Sequence, residues 1–337
     1  MADEGATDVS SIMPSERKLP QLSKPVDDVR VLFLGGLGRS GSTIVANVLG
    51  QHTEAVSIGE LVHLWSRGLI DNELCGCGEP LGECSFWGAV GDLAFGGWDQ
   101  LDLAEMLRLQ HTVDRNRYVP LMIAPTIAPA YRRRLATYTD VLSRIYRSIA
   151  EVSGASVIVD STKHVSYAYL LRKVAGIDVR VAHLVRESQG VAHSWAKTVA
   201  RPEVTSGHDE MPRYTPARTS AKWVAYNTAL HGLSLIGTRR ELVRYEDVMA
   251  DPGTGFAGLL DLAGLDDAHM SHLGDTWVEL GPTHTVAGNP SRFTKGRVEL
   301  TLDRAWQRDM AVPDRRLVTA LTWPLSKAYG YPVKEPS

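Results

Sequence analysis

The sequence predicts an α/β fold in which a parallel sheet is flanked by helices. Four short apolar segments, at residues 29–34, 156–159, 179–185 and 241–243, are each followed by a stretch that is compatible with a helix. Runs that are apolar on both faces are typical of parallel strands, because helices cover both sides of such a sheet. The alternation of strand and helix therefore predicts one layered domain.

A glycine-rich loop follows the first predicted strand and leads into a helix. The run Gly36-Leu37-Gly38-Arg39-Ser40-Gly41-Ser42-Thr43 has the glycine spacing of a P-loop, in the strand-loop-helix setting that this motif requires. The backbone N–H groups of such a loop and the positive end of the helix form an anion cradle, to which serine and threonine hydroxyls add donors. We therefore expect a P-loop-like fold that binds a phosphate or sulfate group here.

The loop lacks the cation of a nucleoside triphosphatase. Ser42 occupies the position at which such an enzyme carries its lysine, and Arg39 supplies positive charge from a different place. This difference disfavours a plain ATPase or kinase.

Composition limits the domain organisation and the classes of partner. The chain has 337 residues, of which 44% are hydrophobic, and its formal net charge of −3 gives no global basic field for nucleic acid. Residues 1–25 read as a disordered leader before a single domain at 26–337, in which a helical insertion at about 61–153 is long enough to be a lid or acceptor wall. We expect a cytoplasmic protein without a membrane span, since no apolar run approaches the roughly 20 residues required.

Aromatic residues are concentrated in the insertion. They suit a wall for an apolar, aromatic or sugar-bearing acceptor, although we expect most of them to be core residues. They are Trp65, Phe86, Trp87, Trp98, Tyr118, Tyr131 and Tyr138.

Two motifs resemble those of sulfotransferases that use 3′-phosphoadenosine 5′-phosphosulfate (PAPS). The run Gly38-Arg39-Ser40-Gly41-Ser42-Thr43 is similar to the 5′-phosphosulfate loop of that family. The run His183-Leu184-Val185-Arg186, followed by Ser194 on the next helix, resembles its 3′-phosphate motif. The resemblance implies a P-loop-like sulfotransferase domain in which Arg186 and Ser194 bind the 3′-phosphate.

Two further segments support the same resemblance. Arg244-Tyr245-Glu246-Asp247 is similar to the family segment that approaches adenine, although a turn with a helix N-cap explains it equally well. The run from Gly288 to Phe293 resembles a C-terminal motif of bacterial and carbohydrate-type members. It implies that Arg292, with Lys295 and Arg297 close by, closes over the nucleotide, and Gly296 is a further candidate for binding it.

The resemblance implies a reaction and its catalytic residues. A sulfuryl group would pass from PAPS to a hydroxyl of a small-molecule, glycan or natural-product acceptor, with adenosine 3′,5′-bisphosphate (PAP) as product and no metal required. Gly59-Glu60 is similar to the pair that carries the catalytic glutamate in the tyrosylprotein branch, and burial is expected to raise the pKa of that carboxyl. Lys163 matches a family lysine that reaches the transferring group. His164 is the rival base, and a helix N-terminal carboxylate is the structural alternative for Glu60.

The three cysteines, Cys75, Cys77 and Cys84, lie within ten residues of one another. Free thiols in a packed loop are favoured in a reducing cytosol, with a disulfide or a zinc site as alternatives. A zinc site would need a fourth ligand, such as His63.

Two other classes of protein remain open at this point. A P-loop kinase would need a lysine in the loop and an acid that holds magnesium. A non-catalytic nucleotide-binding protein would be expected to lack Glu60, Lys163 and His164, all of which are present.

Overall fold

The computed structural model describes residues 28–200 and 210–332. The predicted leader at 1–25 lies outside these described residues. Five parallel strands form the central sheet: β1 (Val29–Gly35), β2 (Ala55–Gly59), β3 (Val157–Lys163), β4 (Ile177–Val185) and β5 (Arg239–Arg244). Their order is β2-β3-β1-β4-β5. All neighbouring pairs are parallel, so the predicted parallel sheet is confirmed.

Helices cover both faces of the sheet, and a short antiparallel hairpin lies outside it. The hairpin strands are β6 (Trp277–Leu280) and β7 (Gly296–Glu299). The helices are α1 (Ser42–Leu49), α2 (Ser85–Phe95), α3 (Leu103–Val113), α4 (Val119–Ile123), α5 (Pro129–Ser153), α6 (Val165–Leu171), α7 (Ser188–Ala196), α8 (Pro216–Leu235), α9 (Tyr245–Ala250), α10 (Pro252–Ala263), α11 (Ala305–Asp309) and α12 (Val312–Ala328).

Alternate side chains of β1 enter two separate hydrophobic cores. Val31 and Phe33 belong to the core that contains α5 and α6, whereas Leu32 and Leu34 belong to the core that contains α1 and α10. All four side chains are fully buried, as expected for the central strand of a sheet covered on both faces. This packing fixes the carboxyl end of β1, where the glycine-rich loop begins.

The insertion packs as a helical extension of the first core. Trp65, Trp87 and Tyr138 are each at most 1% exposed, and the indole N–H of Trp65 donates to the Tyr138 hydroxyl at 3.0 Å. Tyr131 is buried in the same core, and the other three aromatic residues of the insertion named above pack against it, so the expectation that most of them are core residues is confirmed. They do not form the wall of the cavity described below.

Within the described ranges, no helix combines the length and apolar character that a membrane span requires.

Candidate active site

The glycine-rich loop connects β1 to α1 at one end of a cavity of ≈ 680 Å³. Gly36 and Gly41 have φ angles of 150° and 84°. A Cβ at Gly36 would lie 2.4 Å from the carbonyl oxygen of Leu184, and one at Gly41 would lie 2.4 Å from the Tyr245 ring. Both positions therefore require glycine, both for backbone conformation and for space.

The loop presents most of its predicted ligand residues to the cavity. The lining includes Gly38, Arg39, Gly41, Ser42 and Thr43. Ser40 is 2% exposed, and its hydroxyl donates to the carbonyl of Leu37 at 2.7 Å, so its side chain faces the loop itself. The hydroxyl hydrogen of Ser40 is therefore not available to a ligand.

Arg39 directs positive charge into the cavity. Its φ of 77° lies in the left-handed region, which is unfavourable for a residue with a side chain and is common at functional sites. The guanidinium lies 5.5 Å from the Trp195 ring centroid, and its Nη2 lies 3.0 Å from the sulfur of Met211. Its buried Nε has no hydrogen-bond acceptor among the described residues. A buried N–H group without a protein acceptor is suited to donate to a bound anion.

Glu60 and Lys163 form an ion pair on the cavity wall. Glu60 follows β2 directly, and Lys163 is the last residue of β3, where it pairs in register with Gly35. The Lys163 ammonium donates to Glu60 Oε1 and, at 3.0 Å, to the carbonyl of Ser161. The fold thus brings together two residues that are far apart in sequence, because β2 and β3 are neighbouring parallel strands.

The ion pair reverses the pKa shift that the sequence predicts for Glu60. Burial by itself raises the pKa of this carboxyl, but Lys163, His63 and His164 together lower it to about 2. The expectation of a raised pKa was wrong because it counted burial without the ammonium in direct contact. Glu60 is therefore ionised at neutral pH.

Two histidines lie beside this pair. Nε2 of His63 is 3.6 Å from Glu60 Oε2, and the rings of His63 and His164 meet edge to face with centroids 5.8 Å apart. Burial lowers the pKa of His63 to about 3 and lowers that of His164 as well. Both imidazoles are therefore neutral near pH 7, and both line the cavity.

Arg186 lies at the far side of the loop. It follows β4, is 7% exposed, and stacks over the Tyr245 ring at 4.8 Å. Its guanidinium donates to the carbonyl of Arg39 at 3.2 Å and to the carboxylate of Asp303 at 2.9 Å. Arg186, Ser194 and Tyr245 all line the cavity, so the structure brings these three predicted residues together.

The C-terminal motif was expected to place Arg292 over the nucleotide, but other residues of the motif line the cavity instead. Arg292 is 3% exposed and is not on the cavity wall, because its guanidinium donates to the carbonyls of Thr285 and Leu74 at 2.9 and 2.8 Å. Lys295 lies near the carbonyl of Cys77 at 3.4 Å, and Gly296 begins β7. The structure thus places these three residues away from the cavity, whereas Asn289 and Ser291 of the same motif line it.

Several lining residues were missed as site residues by the sequence analysis. They are His63, Arg67, Trp195, Met211, Tyr214, Lys222 and Tyr226. Trp195 had a usable signal, since it directly follows Ser194 in the second motif. Two of the others, His63 and Arg67, lie in the insertion, and the remaining four lie just before α8 or within it. No sequence motif in these segments indicates that they approach the glycine-rich loop.

Comparison with known proteins identifies the fold. Neither a protein-family model nor a curated protein sequence matches the chain. Among solved structures, the sulfotransferase domain of the Synechococcus PCC 7002 olefin synthase is similar with a TM-score of 0.50 and 19% identity, over 95% of this chain and 98% of that one. The sulfotransferase domain from the curacin biosynthetic pathway is similar with a TM-score of 0.51 and 15% identity, over 92% and 100% of the two chains. The chain therefore has the P-loop-like fold of sulfotransferase domains, as predicted.

Proposed function

We propose that this chain is a sulfotransferase that moves a sulfuryl group from PAPS to the hydroxyl of a small-molecule, glycan or natural-product acceptor. The observation that carries the proposal is the Glu60–Lys163 ion pair, which faces the same cavity as the glycine-rich loop. A carboxylate, an ammonium and an anion cradle at one cavity are the groups that this transfer needs.

The loop and its surroundings suit the donor. The 5′-phosphosulfate lies against the backbone N–H groups at the start of α1, near Nε of Arg39, which has no acceptor in the described part of the chain. Arg186 and Ser194 bind the 3′-phosphate, and Tyr245 contacts the adenosine. Arg186 is already oriented by Asp303, so little side-chain freedom is lost on binding.

The reaction is an in-line displacement at sulfur. The acceptor oxygen forms a bond to sulfur while the bond from sulfur to the oxygen of the 5′-phosphate breaks, and the acceptor proton passes to Glu60. Lys163 offsets the charge that develops on the leaving oxygen, assisted by Arg39. As the Lys163 ammonium turns toward that oxygen, its ion pair with Glu60 weakens and the carboxylate becomes a stronger base.

PAP is expected to raise the melting temperature of the protein, and Arg186→Ala is expected to remove most of that effect. A charge-assisted bond to the 3′-phosphate contributes about 1.5 to 3 kcal/mol, which is a loss of roughly 10- to 150-fold in affinity. Calorimetric titration of the variant should show a smaller loss for adenosine 5′-phosphosulfate, which lacks the 3′-phosphate. Exposed Arg308 provides the control variant, Arg308→Ala. Equal losses for both ligands would place Arg186 elsewhere.

Turnover is expected to need no added divalent cation. The loop amides, Arg39 and Lys163 supply the positive charge that magnesium supplies in kinases. Transfer of radiolabelled sulfate from PAPS to a panel of hydroxyl acceptors should proceed equally with and without Mg²⁺.

Two other outcomes would contradict the proposal. Phosphoryl transfer from ATP that depends on Mg²⁺ would favour a P-loop kinase. PAP binding without turnover of any acceptor would favour a non-catalytic nucleotide-binding protein.

A further inference from the structure

Four donor atoms converge at the base of the insertion, outside the cavity. The sulfur atoms of Cys75, Cys77 and Cys84 and Nδ1 of His284 all lie within 4.8 Å of one another. His284 comes from the segment between β6 and β7, about two hundred residues further along the chain. The fourth residue is therefore not His63, which lies beside Glu60.

Three of the six distances between these atoms lie close to the edges of a tetrahedron around one zinc ion, and all six are within 4.8 Å. Zinc bonds of about 2.3 Å to sulfur and about 2.0 Å to nitrogen give tetrahedral edges of roughly 3.8 Å between sulfurs and roughly 3.5 Å between sulfur and nitrogen. Cys77 Sγ lies 3.8 Å from Cys84 Sγ. Nδ1 of His284 lies 3.3 Å from Cys84 Sγ and 4.0 Å from Cys75 Sγ.

The surroundings hold the donors in place. The His284 ring stacks on Phe86 with centroids 4.8 Å apart, and its backbone carbonyl accepts the Trp87 indole N–H at 2.9 Å. Cysteine binds a metal as the thiolate, so the three thiols lose their protons when the ion binds.

We propose that Cys75, Cys77, Cys84 and His284 bind one structural zinc ion. Four protein ligands fill a tetrahedral shell, which is typical of structural rather than catalytic zinc, and sulfur with imidazole favours zinc over magnesium or calcium. With three thiolates and a neutral imidazole the site carries one net negative charge. Lys295, which lies 3.4 Å from the carbonyl of Cys77, is placed to offset it.

The ion clamps the insertion to the segment that supports Glu60. Two residues after His284, the backbone N–H of Val286 donates to the carbonyl of Ile58 at 2.8 Å, and the carbonyl of Val286 accepts the N–H of Glu60 at 2.7 Å. A Cβ at Gly59 would lie 2.5 Å from that carbonyl, so the two backbones are in close contact. Loss of zinc is therefore expected to loosen the peptide that carries Glu60.

Metal analysis of the purified full-length protein tests the site. Elemental analysis after dialysis against a mild chelator is expected to find about one zinc per chain, and native mass spectrometry one bound ion that is lost on denaturation. Cys84→Ser and His284→Ala are each expected to reduce zinc to below about one tenth of that level. Exposed His111, at the end of α3, provides the control variant His111→Ala, which should keep the metal.

A readout on the wild-type chain keeps the test independent of variant folding. Protein stripped of zinc with a thiol-directed mercurial and then reduced is expected to bind one Co²⁺, with the visible bands of tetrahedral cobalt thiolate, and to regain its melting temperature. Wild-type protein that contains no zinc and develops no such bands would overturn the proposal. So would a mass two hydrogens lower under non-reducing conditions, which indicates a disulfide, or full zinc content in both ligand variants.

Discussion

Glu60→Gln is expected to lower kcat by about 10² to 10⁴ while the affinity for PAPS stays nearly unchanged. The acceptor hydroxyl is a poor nucleophile until a base takes its proton, and a positioned base typically contributes a factor of this size. Glutamine keeps the shape of the side chain and can still accept a hydrogen bond from Lys163, but it has no basicity. Steady-state rates and calorimetric titration of PAPS measure the two quantities separately.

Matched variants separate the base from its neighbours. His164→Ala and His63→Ala remove neutral imidazoles and are expected to cost much less than Glu60→Gln. Glu241→Gln, on the exposed face of β5, controls for the loss of a carboxylate. If Glu60→Gln retains most activity while His164→Ala abolishes it, the histidine is the base. Loss of the folded state in Glu60→Gln, detected by circular dichroism, would show that the carboxylate is a structural cap.

The strands with the strongest local pattern were predicted from the sequence, and the weakest one was missed. β1, β3 and β4 match the predicted apolar segments, because a strand covered on both faces buries apolar side chains on both. β5 lies at the edge of the sheet and carries four charged residues among its six, so only its Leu242-Val243 pair matched the apolar pattern. β2 covers only Ala55–Gly59 and contains a serine and a glycine, so nothing local distinguishes it from a loop. Yet β2 is the strand that carries Glu60 to the cavity.

The candidate site was predictable only where its residues belong to a local motif. The glycine spacing identified the loop residues, and the resemblance to a sulfotransferase motif identified Arg186. The zinc ligand His284 and the buried position of Arg292 depend instead on contacts between distant segments. The pKa of Glu60 shows the same limit. Its sign depends on the direct contact with Lys163, and spacing along the chain does not reveal that distance.

Lys163→Met is expected to lower kcat by about 10² to 10³ and to destabilise the fold by about 3 to 5 kcal/mol. The rate falls because the leaving oxygen loses its nearest cation. Stability falls because Glu60 stays buried without its partner, and one partner's removal from a buried ion pair carries a penalty of this size. Each side chain of the pair is 13% exposed, so solvent screens it little. Chemical denaturation measures the second effect, with exposed Lys327→Met as the control.

The pH dependence of this destabilisation identifies its cause. In the wild type, the pKa of Glu60 is lowered from 4.5 to about 2, so the pair's contribution to stability is fully present above about pH 4.5 and is lost as the pH falls toward 2. In Lys163→Met, burial dominates and raises the carboxyl pKa, so the variant gains stability relative to the wild type as acid protonates Glu60. The difference in stability between the wild type and Lys163→Met should therefore be largest near neutral pH and shrink in acid.

The double variant Glu60→Gln/Lys163→Met should recover part of the stability without recovering activity, because it buries no charge. A destabilisation that does not change between pH 7 and pH 4, or a double variant no more stable than Lys163→Met, would mean that the lysine acts through packing and not through its charge.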